Sequence, residues 1–370
     1  MRPEFHRLLI ALLLGAMFIG CDDNSGPPPA ALGLVSATDL GVLEQNPRIG
    51  YRYGGYSGII NGRSVWLYDP VALTEPDAQG RTRLENSWSW TDDLDPSDGI
   101  TGFNERLDST EAPTELIPLT TYEENYNTLN YNEECAATPE GCHRYSVSLG
   151  PLVDDPERGR ALIFYSAVKT GGFHNSALAV WDDPDAAPMR SEKDLMFGNP
   201  AAAMVADGYL YTYDCRYEDF GTPCKDFYTA CTVARAPLAD ALDPEAWRFW
   251  DGESWHAEQD RAKAVLDGNF RMTVAWCPFA GVYMAIYNRP FCPSTMLRTA
   301  PAPEGPWSQE VKLFDAEVLE NDDWVYDALA HPEYAQNDGL TQYVTYSRST
   351  GTDRSEHRVV KVELADVRSE

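Results

Sequence analysis

The chain has 370 residues, 43% of them apolar and 24% charged, enough to bury one or two sizeable cores. Acidic residues outnumber basic ones 58 to 29, and the formal net charge of −29 repels both nucleic-acid phosphates and anionic membrane surfaces. DNA, RNA and electrostatic membrane docking are thereby excluded as expected modes of action.

In chain order the first element is a targeting segment. Arg2, His6 and Arg7 precede the apolar run LLIALLLGAMFIG and then Cys21. A basic start, a short apolar stretch and small residues before the cut make a secretory signal, too short to persist as a spanning helix. Gly20-Cys21 resembles the bacterial lipoprotein cleavage box, so residues 1–20 read as a lipoprotein signal peptide and Cys21 as the lipidation site. Acyl chains on Cys21 would hold the protein in the bacterial cell envelope, periplasmic or surface-facing, through lipid alone. The polar, Pro/Gly-rich stretch DDNSGPPPAALG makes residues 21–34 a flexible tether. Residues 35–370 are expected to form one domain.

From residue 51 onward a pattern repeats. YSGII and GRSVWLY flank an Asn61-Gly62 turn, and other glycine-led runs follow: GRALIFYS from Gly159, GYLYTY from Gly208, GVYMAIY from Gly281 and GLTQYVTYS from Gly339. Each passes through β-branched and aromatic residues, as strands do. A further strand-like run follows each: NSWSW (86–90), SALAVW (176–181), YTACTVAR (228–235), STMLRT (294–299) and HRVVKVEL (357–364). Helical periodicity is nearly absent, with a turn or two expected near PLADALDPEAW and loops across 91–134. Five antiparallel meanders predict an all-β fold, a five-bladed β-propeller. Pairing SATDLGVLE (36–44) with VVKVELADV (359–367) would close the ring and remove exposed edges. A β-sandwich with the same strand count is the competing architecture.

Cys21 aside, seven cysteines remain, and export permits disulfides. Cys135 and Cys142 enclose a short loop that a staple could close. Cys277 and Cys292 flank one strand as further candidates, and Cys215, Cys224 and Cys231 crowd another. An odd number leaves at least one thiol free or paired between molecules.

Four segments carry a resemblance to a known family: RYGGYSGIINGRSVWLY (52–68), ARAPLADALDPEAWRFWDGESW (234–255), MLRTAPAPEGPWS (296–308) and LAHPEYAQNDGLTQYVTYSRSTG (329–351). Over roughly 48–365 the chain resembles the bacterial propellers long described as a domain of unknown function, which include endo-D-arabinanases and share their fold with arabinanase-type glycoside hydrolases. The resemblance implies a glycan at the propeller axis and glycoside hydrolysis there. Family members often begin with Arg-Asp-Gly-Gly-x-Ser and end the first hairpin with Gly-Asp-Thr. This chain has Tyr53 at the aspartate position and Tyr68-Asp69-Pro70 in place of the triplet, so Asp69 is either the equivalent acid displaced by one or an unrelated loop residue.

Glycoside hydrolysis ordinarily needs a proton donor and a second carboxylate across one bond. Strand entrances converge on a propeller axis, which makes Asp69, Asp327 and Glu333 the candidate catalytic acids, with Asp214 and Glu218 in reserve. Turn-capping or solvated roles are the blander readings of the same residues. Arg52, Tyr53, His143, His174 and His331 are candidate glycan contacts; Arg52 could equally stitch blades together by an ion pair. Trp66, Trp88, Trp90, Trp250 and Trp276 could stack on sugars or fill the wedges between blades. No metal or cofactor is expected. The acidic run DDLDPSDG misses the EF-hand spacing, and phosphate-loop and nucleophile-elbow motifs are missing. The competing function is a non-catalytic surface scaffold that binds carbohydrate or a protein partner.

Overall fold

The computed structural model describes residues 31–369 apart from 131–142, 170–175, 192, 196–197, 199, 221–223, 225–226 and 320–324. The expected signal peptide, Cys21, His174 and the Cys135/Cys142 loop lie outside the described residues.

Five antiparallel sheets make up the fold. Their inner strands are Ile49–Ile60, Tyr145–Asp155, Ala202–Ala206, Thr273–Cys277 and Val325–Ala330, and each is followed by a hairpin back along its own blade. In the first and third blades the hairpin turns are Asn61-Gly62 and Asp207-Gly208, both pairs at positive φ, which is the backbone that matches the twist of the paired strands. The sheets are arranged as a five-bladed propeller, as the meander repeat predicts.

What holds the blades together is legible in the second strands. In Arg160–Lys169, Ala161, Ile163 and Tyr165 pack toward the first blade, against Val65, Leu67 and Trp88. Their neighbours Leu162 and Phe164 pack the opposite way, against Leu210, Ala234 and Trp247 of the third blade. In Val282–Asn288, Val282, Met284 and Ile286 face the fifth blade while Tyr283, Ala285 and Tyr287 face the third. Both faces of a blade are thus buried, and its middle strand reads as a continuous apolar run instead of an alternating one. Large aromatics fill the widening wedges: Trp66, Trp247, Tyr213 and Tyr343 are all fully buried.

The ring closes as expected. The strand Leu32–Val42 forms the outer edge of the fifth blade, pairing with Arg354–Asp366 so that Ser36 faces Glu363 and Gly41 faces Val359. Strand structure begins inside the expected tether, since Leu32 already pairs with Asp366.

Two sequence expectations are corrected. Cys277 is a free, buried thiol: it ends the inner strand of blade four, where its Sγ reaches the Asp338 carbonyl and, among the described residues, no second cysteine. Cys292 instead pairs with Cys224, linking loops of the third and fourth blades, and Cys215 pairs across adjacent strands with Cys231. Within the segment read as loop, Thr121–Asn130 is an α-helix. The turns expected near 237–247 are two 3-10 segments, Leu238–Asp240 and Pro244–Ala246.

Candidate functional site

Inner strands all run the same way along the axis, so their N-terminal ends form one mouth of the ring. Four blades contribute to a polar cluster there. Asp69 comes from the end of Arg63–Leu73, Asp327 from the fifth inner strand, Ser148 from the second, and Arg271 from the residues just before the fourth. Arg271 Nη2 donates to Asp69 Oδ1 at 2.7 Å, and its Nε stands 3.6 Å from Asp327 Oδ1. Ser148 Oγ donates to Asp69 Oδ2, and the Gly54 N–H donates to Asp327 Oδ2 at 2.8 Å. One guanidinium therefore bridges two carboxylates from different blades.

The backbone is shaped to permit this. Gly54 sits at φ +93, and a Cβ there would come within 2.4 Å of Arg271 Nη1. The chain passes this close to the guanidinium only because residue 54 has no side chain. Burial pushes the Asp327 carboxyl above its usual range, against the opposing pull of Arg271 and the Gly54 N–H. Burial also works against the Arg271 charge, but Asp69 and Asp327 outweigh it and hold the guanidinium above its ordinary value.

Tyr56 forms the floor. From the first blade its hydroxyl crosses the axis to donate to the Ala201 carbonyl of the third blade at 2.8 Å, and the Arg271 guanidinium lies 5.6 Å from its ring centroid. Tyr53 stands at the rim, 5.3 Å from Tyr326 and 5.2 Å from Tyr51 between ring centroids. Tyr53 and Tyr326 are half-buried, whereas Tyr51 is buried.

Other residues singled out in the sequence fall elsewhere. Arg52 is 2% exposed, 2.7 Å from Glu105 and 3.7 Å over the Tyr68 ring, so it pins the first blade internally. His331 is fully buried, stacked on Trp66 at 4.0 Å, with Nδ1 bonded to Ser57 and Nε2 to Thr345. Glu333 follows the C-terminal end of the fifth inner strand and bonds Ser64 Oγ at 2.9 Å, at the opposite end of the axis from Asp69 and Asp327. His143 lies just before the second inner strand and is half-buried. Asp214 accepts from Arg216 at 2.9 Å on the third blade, and the Glu218 side chain lies outside the described residues. Trp66 and Trp88 are core, whereas Trp276 is exposed at the far end of the axis. Among the described residues no cluster of three or more His, Cys, Asp or Glu is placed to hold a metal.

Sequence reasoning missed Arg271, Ser148 and Tyr56. Arg271 had a signal: a lone cation opening the apolar run RMTVAW, at the same strand-entrance position that drew notice to Arg52.

Comparison with known proteins agrees with this architecture. The family profile described as a domain of unknown function (DUF4185) matches residues 33–360. No curated protein matches the chain. A Bacteroides ovatus structure superposes with TM-score 0.53 at 14% identity, over 85% of this chain and 87% of the other. A GH43_1 enzyme from Xanthomonas citri, also solved with xylose and with xylotriose, gives TM-score 0.50 at 14% identity over 87% and 90%. A family 117 glycoside hydrolase of the marine bacterium Zobellia galactanivorans gives 0.50 at 11% over 90% of both chains. At such identities the likeness is one of fold.

Proposed function

The chain belongs to the DUF4185 family, and from that premise we propose an exported, lipid-anchored propeller that engages a neutral glycan at its axial mouth and hydrolyses it with Asp69 and Asp327. The observation that carries this reading is the convergence of two carboxylates, from blades one and five, on a single guanidinium at the axis. Asp327, whose carboxyl burial favours the protonated form, is the proton donor to the leaving oxygen. Asp69, an acceptor for Ser148 and Arg271, is the base or nucleophile on the opposite side of the bond. Tyr53 and Tyr326 stack on the flanking sugars. A chain of net charge −29 favours uncharged polysaccharide over polyanions. Fold neighbours that are glycoside hydrolases, one solved with xylose and xylotriose, support a glycan as partner.

The second reading is glycan capture without cleavage. Arg271 favours it, because the guanidinium occupies the space between the carboxylates and neutralises both. Incubation with arabinan-type and other bacterial polysaccharides, followed by an assay for new reducing ends, separates the two. Products that disappear in Asp69→Asn and Asp327→Asn establish hydrolysis; binding without products from a broad panel leaves capture.

A further inference from the structure

The turns that follow the five inner strands lie at the lower end of the ring, and four of them are polar. Asn61-Gly62, Glu157-Arg158-Gly159, Asp207-Gly208 and Asn337-Asp338-Gly339 tip blades one, two, three and five. Blade four differs. Its turn, Cys277-Pro278-Phe279-Ala280-Gly281, carries no charged side chain and is closed by the Gly281 N–H, which donates to the Cys277 carbonyl at 2.9 Å. Phe279 in this turn is 51% exposed, and Trp276 just before it is 48% exposed, 4.9 Å from Tyr283 between ring centroids. Val205, 41% exposed near the end of the third inner strand, joins Trp276 in lining a cavity of about 370 Å³ that opens at this end beneath Tyr56. An indole and a phenyl ring left in water, where the other blades place Asp, Asn or Arg, are costly unless something apolar covers them.

Where the chain enters the fold indicates what covers them. Leu32 pairs with Asp366 at this same end, and it shares one apolar cluster with Cys277 and Ala280, the residues on either side of Pro278-Phe279. The Phe279 N–H donates to the Asp338 carbonyl at 3.0 Å, and the Leu364 N–H donates to the Leu340 carbonyl at 2.8 Å. The tips of blades four and five and the ring-closing strands therefore make one continuous surface, which Val367, 51% exposed, extends. Only residues 22–31 separate Cys21 from Leu32, a reach of at most ~35 Å. We propose that this lower face is a membrane-contact surface, on which Trp276 and Phe279 enter the headgroup boundary of a zwitterionic phospholipid bilayer. This rests on the lipid anchor at Cys21 proposed for the chain. An indole suits that boundary, with an apolar body and one polar N–H. Asp154, Asp207 and Asp338 are exposed on the same face and, with the net charge of −29, disfavour anionic headgroups. The contact is apolar, not electrostatic.

The test holds residues 22–370, with an N-terminal hexahistidine tag, on phosphatidylcholine vesicles through a nickel-chelating lipid, so that attachment does not depend on acylation. Acyl chains brominated near the headgroups should quench the tryptophan emission of the wild type, and Trp276→Ser should remove that quenching. Phe279→Ser should raise the apparent Kd for the vesicles about tenfold, the factor expected for withdrawing one aromatic side chain from an apolar phase. Leu129→Ser, which removes an 80% exposed leucine from the helix beside the upper end of the second inner strand, should change neither reading. Replacing phosphatidylcholine by phosphatidylglycerol should weaken attachment. Equal quenching of the wild type and Trp276→Ser, or undiminished attachment of a Phe279→Ser protein that melts as the wild type does, overturns the proposal. Tighter attachment to phosphatidylglycerol overturns it too. So does a dimer in solution that Phe279→Ser dissociates while no quenching is seen, since the patch then belongs to a second copy. Mass spectrometry of the cell-made protein reads acylation of Cys21 separately. An acylated chain without quenching overturns the contact surface alone, whereas quenching of an unacylated one removes the anchor and supports the surface.

Discussion

Asp327 adopts φ +55, a left-handed backbone that a residue with a side chain takes up only where its surroundings demand it. The register of its strand breaks between Tyr326 and Leu329, and this irregularity is what turns the carboxylate onto Gly54 and Arg271. Asp69→Asn and Asp327→Asn should each cut polysaccharide cleavage by about 10²–10⁴-fold, the usual weight of one acid–base group, as read by reducing-end release. Two histidines carry a second prediction. Burial holds His331 and His357 down at about 3, the first also repelled by His357 and the second by Arg52. Their folded values lie below the unfolded value of 6.5, so the unfolded chain binds protons that the native one refuses. The stability this represents is fully present above pH 6.5 and is lost as pH falls toward 3, at ~1.4 kcal/mol per pH unit for each histidine. Urea denaturation between pH 6.5 and 4.5 should show that slope, reduced by about one proton in His357→Gln. That Asp69 and Asp327 lie at strand entrances could be read from the sequence; that they meet on one arginine could not. Arg52 and His331 are buried instead, the first inside the first blade and the second just past the C-terminal end of the fifth inner strand, and that burial is set by packing partners far along the chain.

At the level of elements, the meanders were readable and their attachments were not. Strands such as Ser176–Trp181 fall where composition and turn glycines put them. The helix Thr121–Asn130 was hidden among acidic loop residues, yet TTYE carries its start signal. Thr120 Oγ1 accepts from the Glu123 N–H at 3.3 Å, and Glu123 Oε2 accepts from the Thr120 N–H at 2.8 Å, a reciprocal capping box. Arg190 then ties that glutamate to the second blade at 2.8 Å. The disulfide pattern was unreadable for another reason: Cys224 and Cys292 are 68 residues apart and meet only because consecutive blades place their corresponding loops side by side. Closing so long a loop constrains the unfolded chain by roughly 4 kcal/mol in the chain-entropy account. The Cys224→Ser, Cys292→Ser double variant should lose stability of that order in denaturant titrations.

For the whole molecule, the repeat revealed the ring and the ring determined which distant residues could meet. Closure depends on Leu32–Val42, which shields the strand Arg354–Asp366 through its backbone ladder, the Arg358–Asp39 pair at 2.9 Å and the Ser36–Glu363 bond at 2.6 Å. Removing residues through Leu43 should expose that strand as an edge open to pairing. Light scattering should then detect dimers or larger assemblies, and the melting temperature should fall. The closing strand has a directional consequence too. Leu32 pairs with Asp366 at the end of the ring that holds Glu333, while Val42 and Arg358 lie toward the end that holds Asp69 and Asp327. Any tether leading into Leu32 thus grips the molecule by its underside. A particle moored this way presents its carboxylate pair outward, like a cup standing on its base, and turns the chamber beneath Tyr56 toward whatever it is moored to.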